Sequence, residues 1–141
     1  MGVLFTASAT SRGGRAGTVR SDDGVIDFQL ANPKALNGEG GNGTNPEALF
    51  AAGYSACYNS ALALIAKKEK LNVDPVVTAD VSLLKDESDN GFKLAVVLNV
   101  DIDGVSKEEA QSLAEKAHQM CPYSKATRGN IDVELQVNAE K

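Results

Sequence analysis

The chain has 141 residues, a length typical of a single domain, and we expect one domain over residues 1–141. Its 14 basic and 19 acidic residues leave a formal net charge of -5. There is no run of Lys or Arg and no Trp, so a nucleic-acid partner is not expected. The N-terminal segment lacks the pattern of a signal peptide, and we therefore expect a cytoplasmic protein.

The N-terminal third reads as short strands separated by glycine-rich turns. Strands are predicted at residues 3–10, 17–22 and 25–30, the last two joined by a hairpin turn at Asp22-Asp23-Gly24. The loop 32–43 contains several glycines but lacks the Gly-Lys-Ser/Thr ending of a phosphate-binding loop. We interpret it as a flexible linker or lid.

A long helix follows, running to about Lys70. Two N-terminal caps fit the sequence: Thr44 with Glu47 as a capping box, or Asn45 as N-cap with Pro46 in the first helical position. Residues 48–66 carry no charge and approach membrane-spanning length, but they include several polar side chains. We therefore expect a helix buried over most of its surface, and no membrane.

The second half alternates strands and one charged helix. Strands are predicted at 76–85 and 92–103, joined by a turn ending in Asn90-Gly91. Ser106 and Glu109 form a capping box that opens a helix to about Met120. Apolar and polar residues alternate over 131–137, which predicts a last, half-buried strand. The element order indicates an α+β fold, with two main helices packed on largely antiparallel sheet.

Chemistry in this chain centres on its two cysteines, Cys57 and Cys121. Cys57 projects from the apolar face of the first helix, where Gly53 leaves space one turn earlier. It can be a small buried hydrophobic residue with a raised thiol pKa, or a nucleophile if a cation comes from elsewhere in the fold. Arg15, in a turn bracketed by glycines, is the candidate cation, although it also fits an exposed turn.

Cys121 lies at the C-terminal end of the second helix, where the helix dipole disfavours a thiolate. This position suits a resolving thiol better than an attacking one, and a plain core residue is the alternative. His118 lies one turn earlier, which leaves a Cys-His protease pair conceivable. Two cysteines and one histidine are fewer than the four ligands of a structural zinc site, so we expect no metal and no cofactor.

Two long segments resemble the signatures of the organic hydroperoxide resistance proteins, a branch of the OsmC superfamily. One is Thr44–Cys57 (TNPEALFAAGYSAC) and the other is Ala117–Asn130, which contains Cys-Pro-Tyr-Ser and ends in Arg-Gly-Asn. The N-terminal Gly-Gly-Arg15-x-Gly run also fits that family. The resemblance covers essentially the whole chain, and it implies the family's α+β fold and an intertwined homodimer.

The resemblance also implies a thiol peroxidase. Cys57 would attack an alkyl or lipid hydroperoxide, and Cys121 would then close a disulfide with the resulting sulfenic acid. Arg15 would hold the thiolate and Glu47 would orient Arg15. A lipoylated protein or dihydrolipoamide would be the reductant. An OsmC-type peroxidase, or a thiol redox sensor or lipid-binding protein, is the alternative.

Helix geometry raises a question about Glu47. It is ten residues before Cys57, which is about 15 Å along a straight helix. Arg15 of the same chain cannot then lie close to both. Two hypotheses answer this: the helix bends near Gly53, or Glu47 is delivered by the second subunit.

Overall fold

The computed structural model describes residues 2–140. The chain divides into two compact units, of which the first ends at Leu49 and the second begins at Phe50. The predicted α+β class is confirmed, since each sheet is mostly antiparallel and two long helices account for most of the helical residues.

The first unit is built on an antiparallel sheet of β1 (Ala9–Arg12), β2 (Thr18–Ser21) and β3 (Asp27–Gln29). A 3-10 turn over Gly14–Ala16 joins β1 to β2. Gly17 is required there, because a Cβ at this position would overlap the carbonyl of Arg12. The strand predicted at 3–10 is largely wrong, since pairing starts only at Ala9.

The glycine-rich loop that follows β3 is not an open linker. Thr44 N–H donates to the carbonyl of Gln29 at 2.9 Å, and Gly40 N–H donates to the carbonyl of Asn32 at 3.0 Å. A Cβ at Gly43 would lie 2.5 Å from the backbone nitrogen of Ala31. The prediction of a flexible linker or lid is therefore wrong: close backbone approach, which glycine permits, holds the segment together.

The first long helix, α1, spans Pro46–Lys68 without interruption. Its cap is the second of the two predicted alternatives: Asn45 Oδ1 accepts a hydrogen bond from Ala48 N–H at 2.7 Å. Within residues 2–140, α1 alone meets the length and composition of a membrane span. Only one face is buried and Leu64 is 46 % exposed, so burial over most of the surface is wrong for the isolated chain.

The second unit contains the hydrophobic core. β4 (Val76–Asp86) and β5 (Gly91–Asp101) form a long antiparallel hairpin, and β6 (Val133–Asn138) pairs in parallel with β5. Inward-facing residues of β5 pack against the buried faces of the helices in one cluster. Exposed and half-buried residues alternate along β6 with the period of two expected of a strand that packs on one face.

α2 (Lys107–Met120) begins at the predicted capping box, in which Ser106 Oγ accepts from Glu109 N–H at 3.1 Å. A short helix that the sequence analysis missed, α3 (Pro122–Thr127), follows immediately. Cys121 separates the two, as the C-cap of α2 and the N-cap of α3. This places the cysteine at a corner of the chain, where its position depends on how both helices dock.

Candidate active site

The two cysteines, 64 residues apart in sequence, meet in the second unit. Cys121 is fully buried and Cys57 is partly buried, and both are free thiols. Their sulfur atoms are 3.5 Å apart. A disulfide bond is about 2.05 Å long, so closure requires an approach of only about 1.5 Å. The contact predicted between these thiols is confirmed.

The local environment disfavours the thiolate of Cys57. Burial raises its pKa above the ordinary value, and the neighbouring Cys121 acts in the same direction. A backbone hydrogen bond from Tyr123 opposes them. A thiol with a raised pKa is a poor nucleophile at neutral pH, because the thiolate is the attacking species. Chemistry at Cys57 therefore requires a positive charge beyond these neighbours.

Arg15 and Glu47 form a bidentate ion pair within the first unit. The Nη1–Oε1 distance is 2.7 Å and the Nη2–Oε2 distance is 2.9 Å. The side chains are 34 % and 17 % exposed. The guanidinium lowers the pKa of Glu47, mainly through these hydrogen bonds, and the carboxylate raises the pKa of Arg15. Two parallel hydrogen bonds fix the plane of the guanidinium.

This pair decides one of the two hypotheses for Glu47. Arg15 and Glu47 belong to the same chain, so the hypothesis that a second subunit delivers the carboxylate to Arg15 is wrong. α1 is continuous through Gly53, and a bend of this unbroken helix near Gly53 stays a prediction. The 3-10 turn that carries Arg15 and the first turn of α1 lie in the same compact unit, which brings the two side chains together.

The space beside Gly53 is occupied rather than open. A Cβ at Gly53 would lie 2.7 Å from the Tyr123 hydroxyl and 3.1 Å from the Tyr123 ring. The same ring lies 5.7 Å from that of Tyr54 and 6.0 Å from that of Phe50, measured between centroids. Glycine therefore allows an aromatic side chain from α3 to pack directly on α1, one turn before Cys57.

An apolar cavity of about 720 Å³ opens next to this aromatic cluster. Its walls combine aromatic and aliphatic side chains from α1, α3 and the β4–β5 hairpin; they include Phe50, Phe92, Leu94, Pro122, Tyr123 and Ile131. Pro122 and Tyr123 directly follow Cys121. The cavity wall therefore includes the two residues next to Cys121 in sequence, and its size and lining are typical of a small-molecule site.

His118 does not form a pair with a cysteine. Its Nδ1 lies 2.8 Å from the hydroxyl of buried Ser124. Burial lowers the pKa of His118, and the positive charge of Arg128 lowers it further. The Cys-His protease arrangement considered from the sequence receives no support from this hydrogen bond.

Comparison with known proteins places the chain in a family. The OsmC-like protein family model matches residues 38–136. The organic hydroperoxide resistance protein OhrB of Bacillus subtilis is 54% identical over 135 residues, covering 96% of this chain and 98% of that protein. The chain belongs to the organic hydroperoxide resistance proteins.

Solved structures of this family share the fold. The crystal structure of OhrB from Bacillus subtilis superposes with a TM-score of 0.91 at 53% identity, covering 96% of this chain and 100% of that one. An organic hydroperoxide resistance protein from Elizabethkingia anophelis gives 0.93 at 52% identity, covering 99% and 100%. The fold that the resemblance implied is confirmed.

Sequence reasoning missed the short helix that follows Cys121 in this family member. This helix, α3, carries Tyr123, Ser124 and Thr127. Proline is favoured in the first turn of a helix, so Pro122 was a signal for it.

Proposed function

We propose that this protein is a thiol peroxidase that reduces alkyl or lipid hydroperoxides to alcohols. The 3.5 Å separation of the Cys57 and Cys121 sulfur atoms, beside an apolar cavity, is the observation that carries the proposal. Membership in the organic hydroperoxide resistance family supports the substrate class. The apolar walls suit the organic part of the substrate better than hydrogen peroxide.

The proposed first step is attack of the Cys57 thiolate on one peroxide oxygen. A sulfur–oxygen bond forms, the oxygen–oxygen bond breaks, and the alkoxide takes a proton to leave as the alcohol. Arg15 is the proposed source of positive charge for the thiolate, which requires α1 to bend near Gly53, and Glu47 fixes the orientation of its guanidinium. A guanidinium stays protonated throughout, so it lowers the thiol pKa without competing for the proton.

The proposed second step joins the two cysteines. The sulfur of Cys121 displaces hydroxide from the Cys57 sulfenic acid, a disulfide forms, and the thiol proton completes a molecule of water. A dihydrolipoyl group, on a lipoylated protein or as dihydrolipoamide, then reduces the disulfide and is itself oxidised to the cyclic disulfide. The reaction needs no metal or other cofactor. We propose that the enzyme works in the cytoplasm as a homodimer.

Turnover assays on cysteine variants test this function. Cumene hydroperoxide consumption is followed with dihydrolipoamide as reductant. Cys57→Ser should abolish turnover, and Cys121→Ser should consume about one equivalent and then stall, because its sulfenic acid has no resolving partner. Ser60→Ala, at an exposed position on the same helix, is the control and should retain activity. Normal steady-state turnover by Cys57→Ser would contradict the mechanism.

The contribution of Arg15 is tested separately through the thiol pKa. Arg15→Met should raise the pKa of Cys57, measured by the pH dependence of alkylation, and should slow the first oxidation. Glu47→Gln should have a smaller effect in the same direction, since the guanidinium remains but loses its ionic partner. An unchanged alkylation profile in Arg15→Met would remove Arg15 from the proposed site.

A further inference from the structure

Four side chains form a hydrogen-bonded chain that ties three helices together around the cysteines. Tyr54 Oη on α1 lies 2.7 Å from Ser124 Oγ and 3.2 Å from Thr127 Oγ1, both on α3. Ser124 Oγ also lies 2.8 Å from Nδ1 of His118, in the last turn of α2. Tyr54 and Ser124 are fully buried, so each polar atom depends on its partners within the protein.

The available protons define one complete arrangement of this chain. Thr127 donates its hydroxyl proton to the carbonyl of Ser124 at 3.1 Å, so its oxygen accepts from Tyr54. Tyr54 has a single proton and therefore accepts the proton of Ser124. Ser124 in turn accepts from Nδ1–H of His118. With His118 as the Nδ1–H tautomer, every hydroxyl donates once and is satisfied.

This arrangement does not depend on the charge of His118. Nδ1 carries a hydrogen in this neutral tautomer and in the protonated imidazolium alike. The chain from His118 through Ser124 and Tyr54 to Thr127 is therefore preserved when the ring titrates. The role of this hydrogen-bonded chain is therefore structural: it holds the helices in place and transfers no charge to the cysteines.

The hydrogen-bonded chain holds Cys121 in position. This residue is the N-cap of α3, and its carbonyl accepts from Lys125 N–H at 3.0 Å in the first turn of that helix. Any shift of α3 on α1 therefore moves the Cys121 sulfur relative to Cys57. The hydrogen bonds of Tyr54 link α3 to α1 at a point one turn from Cys57.

We propose that Tyr54 is a positioning residue for disulfide closure, and this inference rests on the peroxidase function proposed above. Its hydroxyl, through Ser124 and Thr127, keeps the Cys121 thiol in line with the oxidised Cys57. Closure then competes successfully with a second oxidation, in which another hydroperoxide adds oxygen to the sulfenic acid, yielding sulfinic acid and an alcohol. Displacements of about 1 Å between reacting groups can change rates about 100-fold.

The experiment compares two tyrosines on the same helix. Tyr54→Phe removes the hydroxyl that ties α1 to α3. Tyr58→Phe is the matched control, because Tyr58 is equally buried and its hydroxyl donates at 2.6 Å to the carbonyl of Ala114 on α2. Reduced protein is treated with excess cumene hydroperoxide without reductant. Intact mass then gives the ratio of disulfide (loss of two hydrogens) to sulfinic acid (gain of two oxygens).

Tyr54→Phe should raise the ratio of sulfinic acid to disulfide about tenfold over the wild type, whereas Tyr58→Phe should leave it within about twofold. The rate of the first oxidation, measured in a single turnover, should be the same in all three proteins. Ser124→Ala interrupts the same chain on α3 and should reproduce the Tyr54→Phe ratio, which covers the case in which that variant folds poorly.

Two results overturn the inference, and they are distinguishable. If the wild type forms no Cys57–Cys121 disulfide after one equivalent of hydroperoxide, the proposed function fails and the inference falls with it. The second result is a wild type that closes the disulfide while Tyr54→Phe and Ser124→Ala give the same ratio of sulfinic acid to disulfide as Tyr58→Phe. The function then stands, and the positioning role of Tyr54 is refuted.

Discussion

Gly53→Ala in the middle of α1 tests whether the contact between α1 and α3 is as close as the structure shows. Two effects of opposite sign act on this variant. Alanine is favoured over glycine in a helix interior by about 1 kcal/mol. The added Cβ, however, would lie 2.7 Å from the Tyr123 hydroxyl and 3.1 Å from its ring.

The cost of that overlap exceeds the gain in helix propensity. Overpacking of this kind costs about 1–3 kcal/mol. Tyr123 is 38 % exposed, so its ring can move, but movement disturbs its packing against Phe50 and Tyr54. We therefore expect Gly53→Ala to lower the free energy of unfolding by about 1 kcal/mol, the difference between a cost of about 2 kcal/mol and the helix gain of about 1 kcal/mol.

The same substitution in a Tyr123→Ala variant gives a stricter test, because the change in the free energy of unfolding should reverse its sign. In Tyr123→Ala the obstructing ring is absent, so Gly53→Ala should raise the free energy of unfolding by about 1 kcal/mol. The coupling energy between the two positions is then about 2 kcal/mol, well above the range of independent sites. Urea unfolding of the four proteins at one protein concentration measures it.

Two results would refute the reasoning. Destabilisation by Gly53→Ala of equal size in both backgrounds would mean that Tyr123 is not what the new Cβ meets. Stabilisation in both backgrounds would mean that the ring moves aside at no cost. The second result would also weaken the view that α3 is held firmly on α1.

Three further predictions follow from local interactions. Ser106→Ala removes the N-cap of α2 and should lower the free energy of unfolding by about 1 kcal/mol, whereas exposed mid-helix Ser112→Ala should not lower it, as urea unfolding can show. The pKa of His118, followed by NMR titration, should lie below its ordinary value and rise in Arg128→Gln, which removes a repelling charge; an unchanged titration would contradict this. The pKa of Glu47 is lowered in the folded state, so its contribution to stability is complete above the pKa of the unfolded chain and is lost as pH falls through the folded value. Glu47→Gln should flatten the acid limb of the stability curve, and an unchanged limb would refute that contribution.

Local patterns in the sequence predicted most of the elements correctly. The capping box at Ser106, the cap at Asn45 and the alternation of the last strand each depend on neighbours within a few residues, and each is confirmed. Errors arose where the deciding partner is remote. The strand expected at 3–10 is largely wrong because β1 pairs with β2 only from Ala9 onward. The glycine-rich loop is held by a backbone hydrogen bond to Gln29 in β3, which no local pattern reveals.

The candidate site was likewise predictable only in part from the sequence. The identity of the nucleophile and of the resolving thiol could be proposed from Cys57 and Cys121 because they are the only sulfur nucleophiles in the chain and stand in long, specific motifs. The pairing of Arg15 with Glu47 of the same chain could not be decided, since helix spacing alone left two alternatives open, of which delivery of Glu47 by a second subunit is wrong. The cavity was equally hidden, because its walls come from distant segments.

The sequence by itself determined the chemistry that is available: two thiols, a glycine-bracketed arginine, a carboxylate at a helix start, and the periodicities that build helices and strands. Those features depend on residue type and short spacing. Only the tertiary structure decided that the two sulfur atoms lie 3.5 Å apart, that Tyr123 fills the space at Gly53, and that Tyr54 bonds to Ser124. Such contacts join residues about 70 positions apart, and packing of α3 on α1, rather than any local preference, brings them together.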